Sequence, residues 1–147
     1  MLPSLLLVAH LVGLALGVGA ASAKLLLLLK TRLDGAFVPP YIEVAGSVTR
    51  LIQVGLVLLT LSGIGWIVLG YPVTSRLAAK LVLVGAIWVM GPVIDKVLEP
   101  RFRQLGLASG AVAAAAFVRV RRQYIALETA ATSLFYAVIV YWVLVPR

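Results

Sequence analysis

The chain has no cysteine, a single histidine and only five acidic residues in 147. Without cysteine, neither a disulfide nor a thiolate metal site can form. One histidine, His10, excludes a bis-histidine haem within one chain, a blue-copper centre and the usual structural zinc sites. Charge of either sign is scarce: 12% of residues, against about 25% in a soluble domain. No glycine-rich loop runs into Lys-Ser or Lys-Thr, so a phosphate-cradling site is missing. The alternating ten-residue segments of a membrane barrel are missing too.

What remains is apolar. Hydrophobic residues make up 63% of the chain and the mean hydropathy is +1.11. A domain of ~150 residues still exposes about a third of its surface, so one small core cannot hide that excess. The chain reads as an all-α integral membrane protein. Four stretches reach the ~17–25 residues that cross the hydrocarbon core: Leu2–Leu29, Leu51–Tyr71, Ala78–Val97 and Tyr124–Leu144. They predict a four-helix bundle forming one transmembrane domain over residues 1–147. Ala21-Ser22-Ala23 has the form of a signal-peptide cleavage site. No Lys or Arg precedes it, however, and Leu25–Leu29 prolongs the apolar run, so an uncleaved first helix is expected.

The connections differ in kind. Lys30–Arg50 reads as a loop, because Pro39-Pro40 interrupts a continuous helix. Gly70–Ser75 reads as a tight turn with Thr74 or Ser75 capping the next helix. Leu98–Gln123 holds an alanine-rich piece, Ala111–Val118, which is either an interfacial helix or the start of a long fourth helix. Gly91-Pro92 predicts a kink about midway along the third helix.

Lysine and arginine set the expected orientation. Lys24, Lys30, Arg32, Arg50, Lys96, Arg101, Arg103, Arg119, Arg121 and Arg122 fall on one side, and Arg76, Lys80 and Arg147 on the other. By the positive-inside rule both termini lie outside and the first and third loops in the cytoplasm, in a membrane expected to be the bacterial inner membrane. The net charge of +8 is thus mainly a topology signal. The bases flank spans without an aromatic-interleaved patch, which speaks for anionic headgroups of the lipid bilayer and against nucleic acid.

Ionisable groups inside a bilayer cost roughly 2.5–3.5 kcal/mol each on insertion scales, so each is a functional candidate. His10, Gly13, Gly17, Ala20 and Lys24 share one stripe of the first helix, roughly 60° wide at 100° per residue. Gly13 and Gly17 either pack a neighbouring helix closely or leave room for a flat ligand. Lys80, Val84, Ile87, Gly91 and Asp95 share a face of the third helix. The topology puts His10 and Lys80 in one leaflet, roughly 5–12 Å below its boundary. Lys80 then either snorkels outward or forms a site with His10. Lys24, Asp95, Lys96, Glu99 and Glu128 should gather at the other end, with Lys24 pairing to Asp95 or Glu128, as a structural cluster or a proton path. Glu128 shares a face with Thr132, Phe135, Ile139 and Trp142. Thr60, Ser62 and Gly63 read as packing and backbone-bonding groups. Trp66, Tyr71, Tyr124, Tyr141 and Trp142 read as interfacial belt residues.

Three segments carry a family resemblance: His10-Leu11-Val12-Gly13, Leu58-Leu59-Thr60-Leu61-Ser62-Gly63 and Ala79-Lys80-Leu81-Val82-Leu83-Val84. Together they resemble the HemJ-type four-helix membrane proteins, protoporphyrinogen oxidases that bind haem, and the CopD-like families around them. That resemblance implies a haem b or porphyrin site in which His10 and Lys80 are the essential residues. His10 would be the metal ligand or a proton carrier, and Lys80 a partner for a propionate or a proton donor, with Gly13 and Gly17 lining the cofactor. With a single imidazole, the sixth position would be left open or filled by a second copy in a homodimer. Two other readings stand beside it: a non-catalytic scaffold held to partners by Gly13 and Gly17, and a proton-coupled transport element using His10, Asp95 and Glu128.

Overall fold

A computed structural model describes residues 1–108 and 110–144; Arg147, counted above for topology, lies outside them. All regular structure among the described residues is helical. Helix α1 spans Leu2–Leu33, with a proline in its first turn and Lys30 and Arg32 in its last, where cations suit the helix dipole. Asp34 stops it in extended conformation and accepts a hydrogen bond from the Ala36 N–H (2.9 Å), which opens a short 3-10 turn over Gly35–Phe37.

Helix α2 follows at once, over Val38–Val68. The loop expected over Lys30–Arg50 is therefore a turn of a few residues. Pro39 and Pro40 do not interrupt a helix; they begin one, occupying the first turn where the missing N–H has no intrahelical partner to lose. Helix α3 spans Ser75–Val93, and Thr74 caps it by accepting from the Leu77 N–H (3.3 Å). Two residues past Pro92 the chain enters a π-helical turn, Ile94–Leu98, and continues as α4, Glu99–Gly106. Such a turn absorbs the backbone disturbance expected of Gly91-Pro92, so the span extends well past Val97. Helix α5 runs unbroken over Ala111–Leu144, which makes the alanine-rich piece the start of the fourth helix. The four spans Leu2–Leu33, Gly35–Val68, Ser75–Gly106 and Ala111–Leu144 are each long and apolar enough to cross a membrane.

Small residues decide how the helices pack. A Cβ on Gly55 would lie 2.7 Å from the Gly17 Cα, and one on Gly13 would lie 2.9 Å from the Gly55 carbonyl oxygen. Backbones α1 and α2 thus touch through glycine, the close approach available in lipid. Helix α5 packs on both α1 and α3, whereas no comparable backbone packing joins α2 to α3 among the described residues. Their seam is bridged by side chains: Trp88 Nε1 donates to Thr60 Oγ1 (3.1 Å), and Gln53 Nε2 to Asp95 Oδ2 (3.0 Å). Ala21, Leu56, Ile87 and Phe135 form the core at mid-height. At the loop end a second core gathers Tyr41, Phe102 and Tyr124 edge to face, with centroids 5.4–6.2 Å apart.

Candidate functional site

Two cavities lie in the α2–α3 seam, one toward each end, and Leu56, Ile87 and Phe135 line both. The mid-height core is thus the partition between them.

The cavity toward the termini has a volume of about 320 Å³ and is lined by His10 of α1, Thr60 and Gly63 of α2, Lys80 and Val84 of α3, and Trp142 of α5, with apolar walls between. His10 and Lys80, expected to share a depth, do line one space. Ile64 and Leu81, two of its wall residues, are about half exposed, so it opens sideways between α2 and α3. Trp142 faces this cavity: the Lys80 ammonium lies 4.7 Å from its ring centroid and the Arg76 guanidinium 4.3 Å. Arg76 also donates to the Trp142 carbonyl, while its Nε–H, buried, has no acceptor among the described residues. Neither cation forms an ion pair with a carboxylate among the described residues, and stacking on one indole holds them at the mouth.

The tautomer of His10 is coupled to its partner. Its Nδ1 lies 2.8 Å from Ser62 Oγ, and the Ser62 hydroxyl donates to the Leu58 carbonyl at 2.7 Å. With the Ser62 proton on that carbonyl, Nδ1–H donates to Oγ and Nε2 keeps its lone pair; with that proton on Nδ1, the ring proton lies on Nε2. In the first of these tautomers Nε2 is the atom that can bind a metal or accept a proton. No group of three or more His, Cys, Asp or Glu side chains among the described residues could hold a metal by itself.

Gly13 and Gly17 do not line this cavity. Gly55 and Leu59 of α2 cover Gly13, and Gly55, Leu59 and Phe135 lie against Gly17. The space beside them is taken by α2 and Phe135, so Gly13 and Gly17 pack α1 against its neighbours and do not line the His10 cavity. A ligand of His10 must lie between α2 and α3 instead.

The second cavity, about 370 Å³, contains the other polar set. Lys24 is 1% exposed and its Nζ donates to Glu99 Oε2 at 2.9 Å, with Asp95 Oδ1 at 3.6 Å and Glu128 Oε2 at 3.9 Å. The closest partner is thus Glu99, ahead of the two acids expected. Glu99 Oε2 also accepts from Thr49 Oγ1 (3.1 Å) and Tyr124 Oη (3.1 Å), and Tyr124 receives a hydrogen bond from Tyr41 Oη (2.8 Å). Tyr124, expected in an interfacial belt, is fully buried. Lys96 is exposed and takes no part in the ion pairs.

Arg76, Gln53, Tyr41 and Thr49 were not anticipated as site residues. Arg76 had a signal, since it stands one helical turn before Lys80 on the same face. The others sit on α2 or in its first turns, and their role depends on which helix that face meets. No protein-family model, curated protein or solved structure matches the chain.

Proposed function

We propose that this is a multi-pass membrane protein, in a bacterial inner membrane with both termini outside, that binds an amphipathic anion in the cavity shared by His10 and Lys80. Haem b or a porphyrin is the ligand the motif resemblance suggests. The observation that supports this most is what surrounds that one cavity: the His10 imidazole and the Lys80 ammonium in its lining, the Arg76 guanidinium stacked on its lining residue Trp142, no carboxylate paired with either cation among the described residues, and apolar walls. An apolar body with a charged edge suits such a space, because one end stays dry and the other reaches water.

The donor set fits haem or a porphyrin. His10 would hold the iron through Nε2, with Ser62 fixing the ring plane, as ligating histidines are oriented by a hydrogen bond to the other nitrogen. Arg76 and Lys80 would receive the propionates. When bound, the group would supply redox chemistry at the macrocycle. Without iron, His10 would be the residue able to accept a proton at Nε2, and Lys80 the one able to return it. Because one chain offers one imidazole, a homodimer is part of the proposal.

The test is the absorption spectrum of detergent-purified protein titrated with haemin and with protoporphyrin. Wild type should develop a saturable Soret band, His10→Ala should lose the ligated form, and a double Arg76→Gln, Lys80→Gln variant should bind more weakly. A wild-type protein that takes up neither compound overturns the reading. Gly13 and Gly17 lie against α2 within the chain, so the scaffold alternative would have to use another surface.

A further inference from the structure

The Lys24 cluster holds an imbalance that packing alone does not explain. Three carboxylates, Asp95, Glu99 and Glu128, surround one lysine. If all were ionised, two negative charges would stand unmatched inside a membrane span, where an isolated charge is expensive. The acids are not equivalent. Glu99 Oε2 accepts from three donors and is the counter-ion of Lys24. Asp95 accepts from Gln53 and is about a fifth exposed. Glu128, 4% exposed, accepts no hydrogen bond among the described residues, and its nearest cation lies beyond hydrogen-bond distance.

A second, separate observation points into the cavity. Thr132 is one helical turn after Glu128 on the same face of α5, is 5% exposed, and its hydroxyl oxygen has no partner among the described residues. Both residues line the 370 Å³ cavity. Two buried oxygens of one helix face, each without a donor, therefore share a space that opens beside the exposed Trp88 between α2 and α3. Buried polar atoms are normally satisfied, so such a pair asks for a bound donor.

We infer that Glu128, backed by Thr132, is a proton-binding site within the membrane, whose proton exchanges through the cavity between α2 and α3. The groups around it assign the proton to Glu128. From α1, Lys24 already belongs to Glu99. From α2, Tyr41, Thr49 and Gln53 donate to Tyr124, Glu99 and Asp95. From the π turn come Asp95 and the exposed Lys96, from α4 Glu99, and from α5 Tyr124. None of them supplies a hydrogen bond to Glu128, so protonation is the way to make it neutral in place. The site is separated from the His10 cavity by Leu56, Ile87 and Phe135, and it stands whether or not that cavity takes a porphyrin.

Dicyclohexylcarbodiimide tests this directly, because it is apolar and adds to a protonated carboxyl. The acid proton moves to a carbodiimide nitrogen, the carboxyl oxygen bonds the central carbon, and rearrangement leaves a stable N-acylurea. Treated across a pH series in proteoliposomes, the wild type should carry the adduct at Glu128 in preference to Asp95 and Glu99. Labelling should fall about tenfold per pH unit above its midpoint. It should not change when sodium replaces choline at constant ionic strength. Peptide mapping locates the adduct in the wild type, so the test survives a Glu128→Gln variant that fails to fold. Absence of adduct at Glu128, preference for Glu99, or labelling indifferent to pH would each overturn the inference. Protection by sodium but not choline would also overturn it, by giving the site to an alkali cation.

Discussion

At the loop end of the bundle, Lys24 meets carboxylates from three elements and is buried; at the terminal end, Lys80 pairs with no acid among the described residues and rests on an indole beside a second cation. Both lysines were expected inside the membrane, yet they solve desolvation in opposite ways. Lys24 sits deep, where a cation survives only with counter-charges and hydrogen bonds. Lys80 sits near a helix start, where a long side chain reaches toward the interface and can wait for an anion. The difference separates a polar core that holds the fold from a polar mouth that can serve a ligand.

The comparison breaks most sharply at Lys24. Lys24→Met removes the only cation among three acids and should destabilise the bundle by about 3–5 kcal/mol, the cost of leaving a buried ion unpaired. Reversible unfolding in mixed micelles would measure it. Lys80→Met should cost no more than about 1 kcal/mol, the worth of its cation–π contact. Equal losses at the two positions would erase the distinction between them.

Next in size is the glycine contact that holds α1 to α2. Gly55→Ala places a Cβ 2.7 Å from the Gly17 Cα, a backbone atom that cannot rotate away. Overpacking of this kind should cost about 1–3 kcal/mol. Gly17→Ala meets the Phe135 ring at 3.6 Å, Leu59 at 3.7 Å and the Gly55 carbonyl carbon at 3.8 Å, ordinary contacts, so it should be near neutral. Unfolding midpoints of the two variants, measured side by side, check the asymmetry. A tolerant Gly55 would mean that the helices approach elsewhere.

These contrasts also mark what the sequence could tell. Helix number, the cap at Thr74, the shared depth of His10 and Lys80 and the gathering of Lys24 with Asp95, Glu99 and Glu128 all follow from periodicity along single helices. What each face meets does not. The stripe of Gly13 and Gly17 was visible, but only the position of Gly55 on α2 decides that it is filled and closed to a ligand. Tyr124 has the composition of an interface anchor and becomes core because Tyr41 and Glu99 reach it from other helices. Pro39-Pro40 misled for a local reason: the same dipeptide that ends a helix is favoured at its first turn, and which applies depends on where the chain turns.

The smallest expected effect is the most specific to the terminal end. Ser62→Ala removes the hydrogen-bond partner of His10 Nδ1 across α1 and α2. Hydrogen bonds between membrane helices average about 0.6 kcal/mol, so stability should barely move. The imidazole, however, loses the contact that sets both its ring plane and its tautomer. In the haemin titration, Ser62→Ala should therefore shift the Soret band and weaken binding while the unfolding midpoint stays close to wild type. Ser62→Thr, which keeps the hydroxyl, should restore the wild-type spectrum. A Ser62→Ala variant that unfolds readily but binds normally would make His10–Ser62 a packing contact like Gly13–Gly55, and would move the terminal end into the same class as the loop end.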